Sequence, residues 1–147
     1  MTELWKGIPG YRYEVSNLGR VRSLDRLTLR RHGQYKRKWW KYRGRVLRPG
    51  IYKKYGYPIV VLRRMSKSRT FNVHQLVADA FLPKPTMARV EINHIDGNKS
   101  NPAVTNLEWI THSENAHHSI DFGLRKTFVI TNHRTHRKVI YTNARTL

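Results

Sequence analysis

The chain of 147 residues contains no cysteine. That absence excludes thiolate zinc sites and disulfide staples, and it fits a reducing cytoplasm, the expected compartment. Acidic residues are scarce as well: nine Asp and Glu stand against 29 Lys and Arg, a formal net charge of +20. Such an excess repels itself in the folded state and points to a polyanionic partner, nucleic acid ahead of an anionic membrane surface. No apolar run approaches the roughly 20 residues that span a bilayer. The opening MTELWKGIPGY lacks the charged start and apolar core of a secretory signal. What remains is one compact domain or two small modules sharing a core.

Residues 11–24 read as a hairpin. Tyr11, Tyr13 and Val15 alternate with polar residues, Ser16-Asn17-Leu18-Gly19 turns the chain, and Val21 and Leu24 resume the apolar side. Residues 26–48 hold ten Lys or Arg and no acid, with Tyr35, Trp39, Trp40 and Tyr42 interleaved. A basic run is ordinarily a solvated loop. Four aromatics among the cations favour a surface that touches DNA backbone, part of it ordered only on binding. Residues 44–48, 56–63 and 69–73 read as further strands, with Met65-Ser66-Lys67-Ser68 as a turn. Residues 73–81 read as a helix with Leu76, Val77, Ala80 and Phe81 on one face, Asn72 as N-cap, and Pro83 and Pro85 ending it. Near the C-terminus, Phe128-Val129-Ile130 and Lys138-Val139-Ile140-Tyr141 suit a hairpin joined by His133-Arg134-Thr135-His136.

Residues 92–115, INHIDGNKSNPAVTNLEWITHSEN, are the most informative segment. His94 ends an apolar stretch, a glycine-asparagine loop follows, and Leu107-Glu108-Trp109-Ile110 reads as a short strand. Thr111 with Glu114 three residues on is a capping box, which starts a helix and sets Asn115 in its first turn, facing the strands. A histidine and two carboxamide oxygens converging from strand, loop, strand and helix can place a general base beside one hard cation. Phosphodiester hydrolysis needs that arrangement.

The run from Val73-His74-Gln75-Leu76-Val77-Ala78-Asp79-Ala80-Phe81-Leu82-Pro83 through Asn115 resembles the HNH nucleases, whose ββα-metal unit is also called the His-Me finger. It is similar in particular to the homing-type members common in bacteriophages. Trp5-Lys6-Gly7-Ile8-Pro9-Gly10-Tyr11 and Tyr13-Glu14-Val15-Ser16-Asn17-Leu18-Gly19-Arg20-Val21-Arg22-Ser23 resemble the nuclease-associated module that often precedes that unit. Two modules in the right order, each matched over many positions and together covering most of residues 1–120, are far more specific than a lone HNH triplet. The tail after Thr127 resembles the opening of a helix-turn-helix-type repeat appended to many homing nucleases.

The resemblance implies an α+β fold: a small N-terminal antiparallel sheet module over residues 1–70, a ββα-metal catalytic unit over 71–124, and a tail over 125–147. It implies a metal-dependent endonuclease acting on double-stranded DNA as a monomer, by a nick or staggered cut that leaves a 5′-phosphate and a 3′-hydroxyl. His94 is the implied general base, since a neutral imidazole, titrating near about 6.5, can take a proton from water. Such a role calls for one ring nitrogen to be held by a backbone carbonyl. Asn93 and Asn115 are the implied ligands of Mg²⁺, with Mn²⁺ an alternative; amide oxygens suit hard cations. Many relatives carry Asp or His at one of these places. An all-amide site should bind metal weakly until a DNA phosphate supplies a negative ligand. Asn106 is the implied support, its amide bridging the loop so that His94 points correctly.

Each residue also has a plainer role. Asn93 and Asn115 suit turns and caps, Asp96-Gly97-Asn98 suits turn chemistry rather than metal, and His117 and His118 suit a solvated helix. His74 suits core support or DNA contact, and Phe81, Leu107 and Trp109 suit the core. Expected DNA contacts are Arg20, Arg22, Arg30, Arg31, Lys36, Arg37, Lys38, Lys41, Arg43 and Arg45. The alternative function is a DNA-binding protein, derived from such a nuclease, that does not cut.

Overall fold

The computed structural model describes residues 2–34, 36–86, 89–121, 126–131 and 138–143. The chain divides into two compact units, residues 1–84 with 94–108, and residues 85–93 with 109–147.

In the first unit, β1 (Trp5–Gly7), β2 (Tyr13–Ser16) and β3 (Val21–Ser23) form an antiparallel sheet. The strand period of two puts Tyr13, Val15 and Val21 on the buried side. Leu24, expected on the same side, lies past β3 and is exposed. Gly19 closes the hairpin at φ +80°, and a Cβ there would sit 2.3 Å from the Pro102 side chain. Beside it, the Val104 N–H donates to the Asn17 carbonyl at 2.8 Å. The first hairpin turn therefore grips the loop that carries the site.

Next come β4 (Arg26–His32) and β5 (Lys36–Tyr42), paired antiparallel over seven residues each. The basic stretch read as a surface ordered partly on binding is thus a formed β-ribbon, although Tyr35 lies outside the described residues. The ribbon's large apolar side chains, Leu27, Leu29, Trp39 and Trp40, are exposed, so no buried face marks the strands in the sequence. Residues 44–48 are not a strand: only an isolated bridge joins Val46 to Arg22.

A second three-stranded antiparallel sheet follows, from β6 (Gly50–Tyr52), β7 (Tyr57–Arg64) and β8 (Lys67–Asn72). β7 alternates cleanly: Val60 and Leu62 are buried while Val61 is exposed. α1 (Val73–Phe81) has the expected bounds and packs on β2, β7 and β8. Val73, Leu76 and Val77 are its buried face, and each such side chain contributes about 1.5–3 kcal/mol by leaving water. Asn72 occupies the N-cap position without capping; its amide nitrogen donates to the Gln75 side chain at 3.2 Å instead. Phe81 is only half-buried, with the Lys6 ammonium 4.8 Å above its ring.

β9 (Val90–His94) and β10 (Leu107–Thr111) are hydrogen-bonded neighbours. A single 3₁₀ turn at Val104–Asn106 leads into β10. The second unit continues with α2 (His112–Asp121), then β11 (Lys126–Thr131) and β12 (Lys138–Asn143), an antiparallel hairpin longer than the tail pattern suggested. The residues expected to join its strands lie outside the described ones. Small antiparallel sheets with short helices make the fold α+β. Among the described residues no helix is long and apolar enough to cross a membrane.

Candidate active site

His94 ends β9 and is 5% exposed. The loop after it is tied down by carboxamides and one carboxylate. The Gly97 N–H donates to the His94 carbonyl at 2.9 Å, with Gly97 at φ +68°. Asp96 accepts from the Asn98 N–H, the Asn101 amide and the Asn106 amide, each at 2.8 Å. Those bonds, Asn101's foremost, hold its carboxyl below the usual range, so it serves as the loop's anchor. Asn106, itself buried, also accepts from the Asp96 N–H at 2.9 Å and donates to the Asn101 carbonyl at 2.9 Å. Its backbone carbonyl takes the Ile95 N–H at 2.9 Å. One asparagine side chain thereby fixes both ends of the loop that begins at His94.

The His94 ring is held by other rings. His74, from α1, lies 5.1 Å away edge-on at 73°, and Tyr57, from β7, lies 5.8 Å away at 31°. Tyr57 and His74 touch each other at 4.6 Å, and the Lys99 ammonium sits 5.3 Å from the Tyr57 ring. Among the described residues, ring packing is what holds the imidazole. His94 Nε2 and His74 Nδ1 are both buried with no hydrogen-bond partner among the described residues. An orphaned buried polar atom costs about 1–3 kcal/mol, and its retention calls for a reason. Burial lowers the His94 pKa, Asp96 pulls it up, and Lys99 pushes it down further. The imidazole is accordingly neutral near pH 7 and able to accept a proton.

Burial, then the neighbouring His94, push His74 down to about 4. In the unfolded chain His74 takes up its proton near its ordinary value of 6.5, whereas the folded protein resists until about 4. Its contribution to stability is therefore complete above pH 6.5 and is lost as pH falls toward 4, by up to about 3 kcal/mol. A His74→Phe protein keeps a ring and loses the titration. Thermal midpoints measured between pH 4 and 7 should fall more steeply for the wild type than for His74→Phe; equal slopes would disprove the assignment.

In the second unit, the Thr111 capping box forms as its sequence implies. The Glu114 carboxylate accepts the Thr111 N–H at 2.8 Å and the Glu114 N–H donates to the Thr111 hydroxyl at 3.3 Å. Asn115 follows in the first turn, and its amide nitrogen donates to Glu91 Oε2 at 2.6 Å. The other oxygen of Glu91 lies 2.8 Å from His112 Nδ1. Asn93, two residues after Glu91 on β9, is 5% exposed. His117 Nδ1 lies 2.8 Å from the Ser113 carbonyl of its own helix. Sequence reading missed Glu91 and Tyr57. Glu91 was findable, because residues i and i+2 of a strand share a face.

The expected DNA-contacting cations fall into two groups. Arg20 is ion-paired with Glu3, and Arg22 with Glu14 at 2.6 Å, while both guanidiniums lie over the Trp5 ring. Both ion pairs lie within the N-terminal module. The remainder are exposed on the β4–β5 ribbon or just after it at Arg43 and Arg45. Arg30 stacks on Tyr42 at 5.1 Å and Lys38 on Trp40 at 5.8 Å, while Lys41 lies 3.9 Å from Asp25.

Comparison with known proteins finds matches over both parts of the chain. Residues 3–63 match the NUMOD4 motif and residues 71–117 match the HNH endonuclease family. An uncharacterised HNH endonuclease of Acanthamoeba polyphaga mimivirus is 36% identical over 129 residues, 87% of this chain and 33% of that protein. The DNA endonuclease I-HmuI of Bacillus phage SP01 is 35% identical over 121 residues, 81% of this chain and 59% of that protein. A solved structure on DNA binding and cleavage by the HNH homing endonuclease I-HmuI matches with a TM-score of 0.60 and 26% identity, over 96% of this chain and 78% of that one. The chain thus spans from a third to somewhat over half the length of these curated relatives. His94, with the Asn106-stapled loop behind it and the capped helix that carries Asn115, lies inside the segment that matches the HNH endonuclease family, and the chain as a whole is similar to HNH homing endonucleases.

Proposed function

We propose that the chain is a homing-type endonuclease that hydrolyses phosphodiester bonds in double-stranded DNA with a divalent metal, acting as a monomer. Residues 1–70 serve as the DNA-binding module and 71–124 as the catalytic unit, followed by a C-terminal tail over 125–147. The observation that carries this reading is His94. It is an imidazole whose pKa burial lowers, packed against two rings and followed by a stapled loop, within the segment that matches the HNH endonuclease family.

In this reading His94 takes the proton of the attacking water, and the Asn106 staple keeps the ring from rotating away. Asn93 and Asn115 offer carboxamide oxygens, and a carboxylate adjoins Asn115, a hard donor set that fits Mg²⁺ or Mn²⁺. When bound, the cation supplies positive charge to the phosphate and to the departing 3′ oxygen. Cations of the ribbon, with those of residues 63–69, bind backbone phosphates, and the sheet reads whatever sequence is read.

The chemistry of the ends tests this. Water attack at phosphorus with the 3′ oxygen leaving yields a 5′-phosphate and a 3′-hydroxyl, so DNA ligase should reseal the nicked product directly. Ends that need a phosphatase or kinase before sealing would show that a different bond is broken.

A further inference from the structure

We propose that Glu91 is the positioning residue of the metal site, orienting Asn115 and supplying the negative charge that two carboxamide ligands lack. The inference rests on the reading of Asn93 and Asn115 as ligands, and every residue it uses lies in one compact unit.

Two periodicities bring the group together. Glu91 and Asn93 are two apart on β9 and so project to the same face. His112 and Asn115 are three apart on α2 and so share a side of the helix. The Glu91 carboxylate bridges that pair, Oε2 to Asn115 Nδ2 at 2.6 Å and Oε1 to His112 Nδ1 at 2.8 Å. Bonds to a carboxylate are shorter and stronger than bonds between neutral groups, and these distances are in that range.

A carboxamide has one donating end and one accepting end. With its nitrogen committed to a carboxylate, Asn115 cannot flip without setting its oxygen against a negative charge. The oxygen is thereby kept as the end turned away from that carboxylate. Negative charge is scarce in this chain, which carries more than three cations for every acid, and Glu91 supplies one. His112, fastened to the same carboxylate, stops Glu91 from swinging away. Partners of this kind, one bond removed from a metal, typically change affinity 10- to 100-fold when lost.

Calorimetric titration of Mn²⁺ into the full chain, held on a duplex with a non-hydrolysable phosphate, reads this without relying on turnover. Glu91→Gln keeps the shape and removes the charge. It should weaken Mn²⁺ binding about 10-fold or more, while duplex affinity and thermal midpoint stay near wild type. Glu91→Asp, which restores the charge on a shorter stem, should recover part of that loss. Cleavage by Glu91→Gln should return as Mn²⁺ is raised, which a merely structural anchor would not allow. Wild-type Mn²⁺ affinity in Glu91→Gln would overturn the role of Glu91 alone. Failure of the wild-type protein to bind Mn²⁺ on DNA would overturn both this proposal and the metal reading beneath it.

Discussion

A His94→Ala protein is expected to cleave DNA about 10² to 10⁴ times more slowly than wild type, the usual consequence of losing a general base. Duplex affinity should be retained, because the ring is buried against Tyr57 and His74 and is not part of the exposed cationic surface. Folding should survive too. Truncation removes ring contacts, but it also removes a buried nitrogen that has no partner. His94→Gln, which fills more of the space, should be as inactive as His94→Ala, which separates loss of the base from loss of volume. Rates and filter binding measured on the same preparations decide the matter; either variant turning over at the wild-type rate would remove His94 from the chemistry.

The second large effect concerns the β4–β5 ribbon. Replacing Arg30, Arg31, Lys36, Arg37 and Lys38 with glutamine should flatten the dependence of duplex affinity on salt. Each phosphate neutralised contributes about 0.9 to the logarithmic slope, so five contacts account for up to about 500-fold between roughly 50 and 200 mM salt. The register sharpens the expectation. Arg30 stands directly opposite Lys38, and Arg31 opposite Arg37. Like charges facing across a strand pair destabilise it. A ribbon that keeps them tolerates repulsion that a polyanion would relieve, and the glutamine variant should melt no lower than wild type. An unchanged slope, measured by fluorescence anisotropy across salt, would make the ribbon a solvated hairpin and place the DNA surface elsewhere.

Legibility in the sequence followed local chemistry. Helix α1 was readable because its apolar residues keep a helical period and Pro83 forbids continuation. The Thr111–Glu114 box was readable because two side chains three residues apart satisfy each other's backbone. The ribbon was hidden because both its faces are exposed, with Leu27, Trp39 and Trp40 in solvent, so no buried period marks it. Residues 44–48 gave the opposite error: Val46 and Leu47 looked like a strand, yet a single bridge is all that pairs there. At the site, His94, Asn106 and Asn115 came from a motif with fixed spacing, and the capped helix does turn Asn115 toward β9. What holds His94 came from Tyr57 and His74, residues distant in sequence that only the folded first unit brings together. The two asparagines read alone suggested an uncharged donor set; the structure sets the Glu91 carboxylate beside Asn115.

The most direct measurement incubates the purified chain with supercoiled plasmid, in Mg²⁺ and in EDTA, and follows the topology of the DNA. Conversion to nicked circles or linear DNA with Mg²⁺, and none with EDTA, is the predicted result. Plasmid that stays supercoiled in Mg²⁺ and in Mn²⁺, while the protein still binds it, would contradict the endonuclease reading and leave a DNA-binding protein that does not cut.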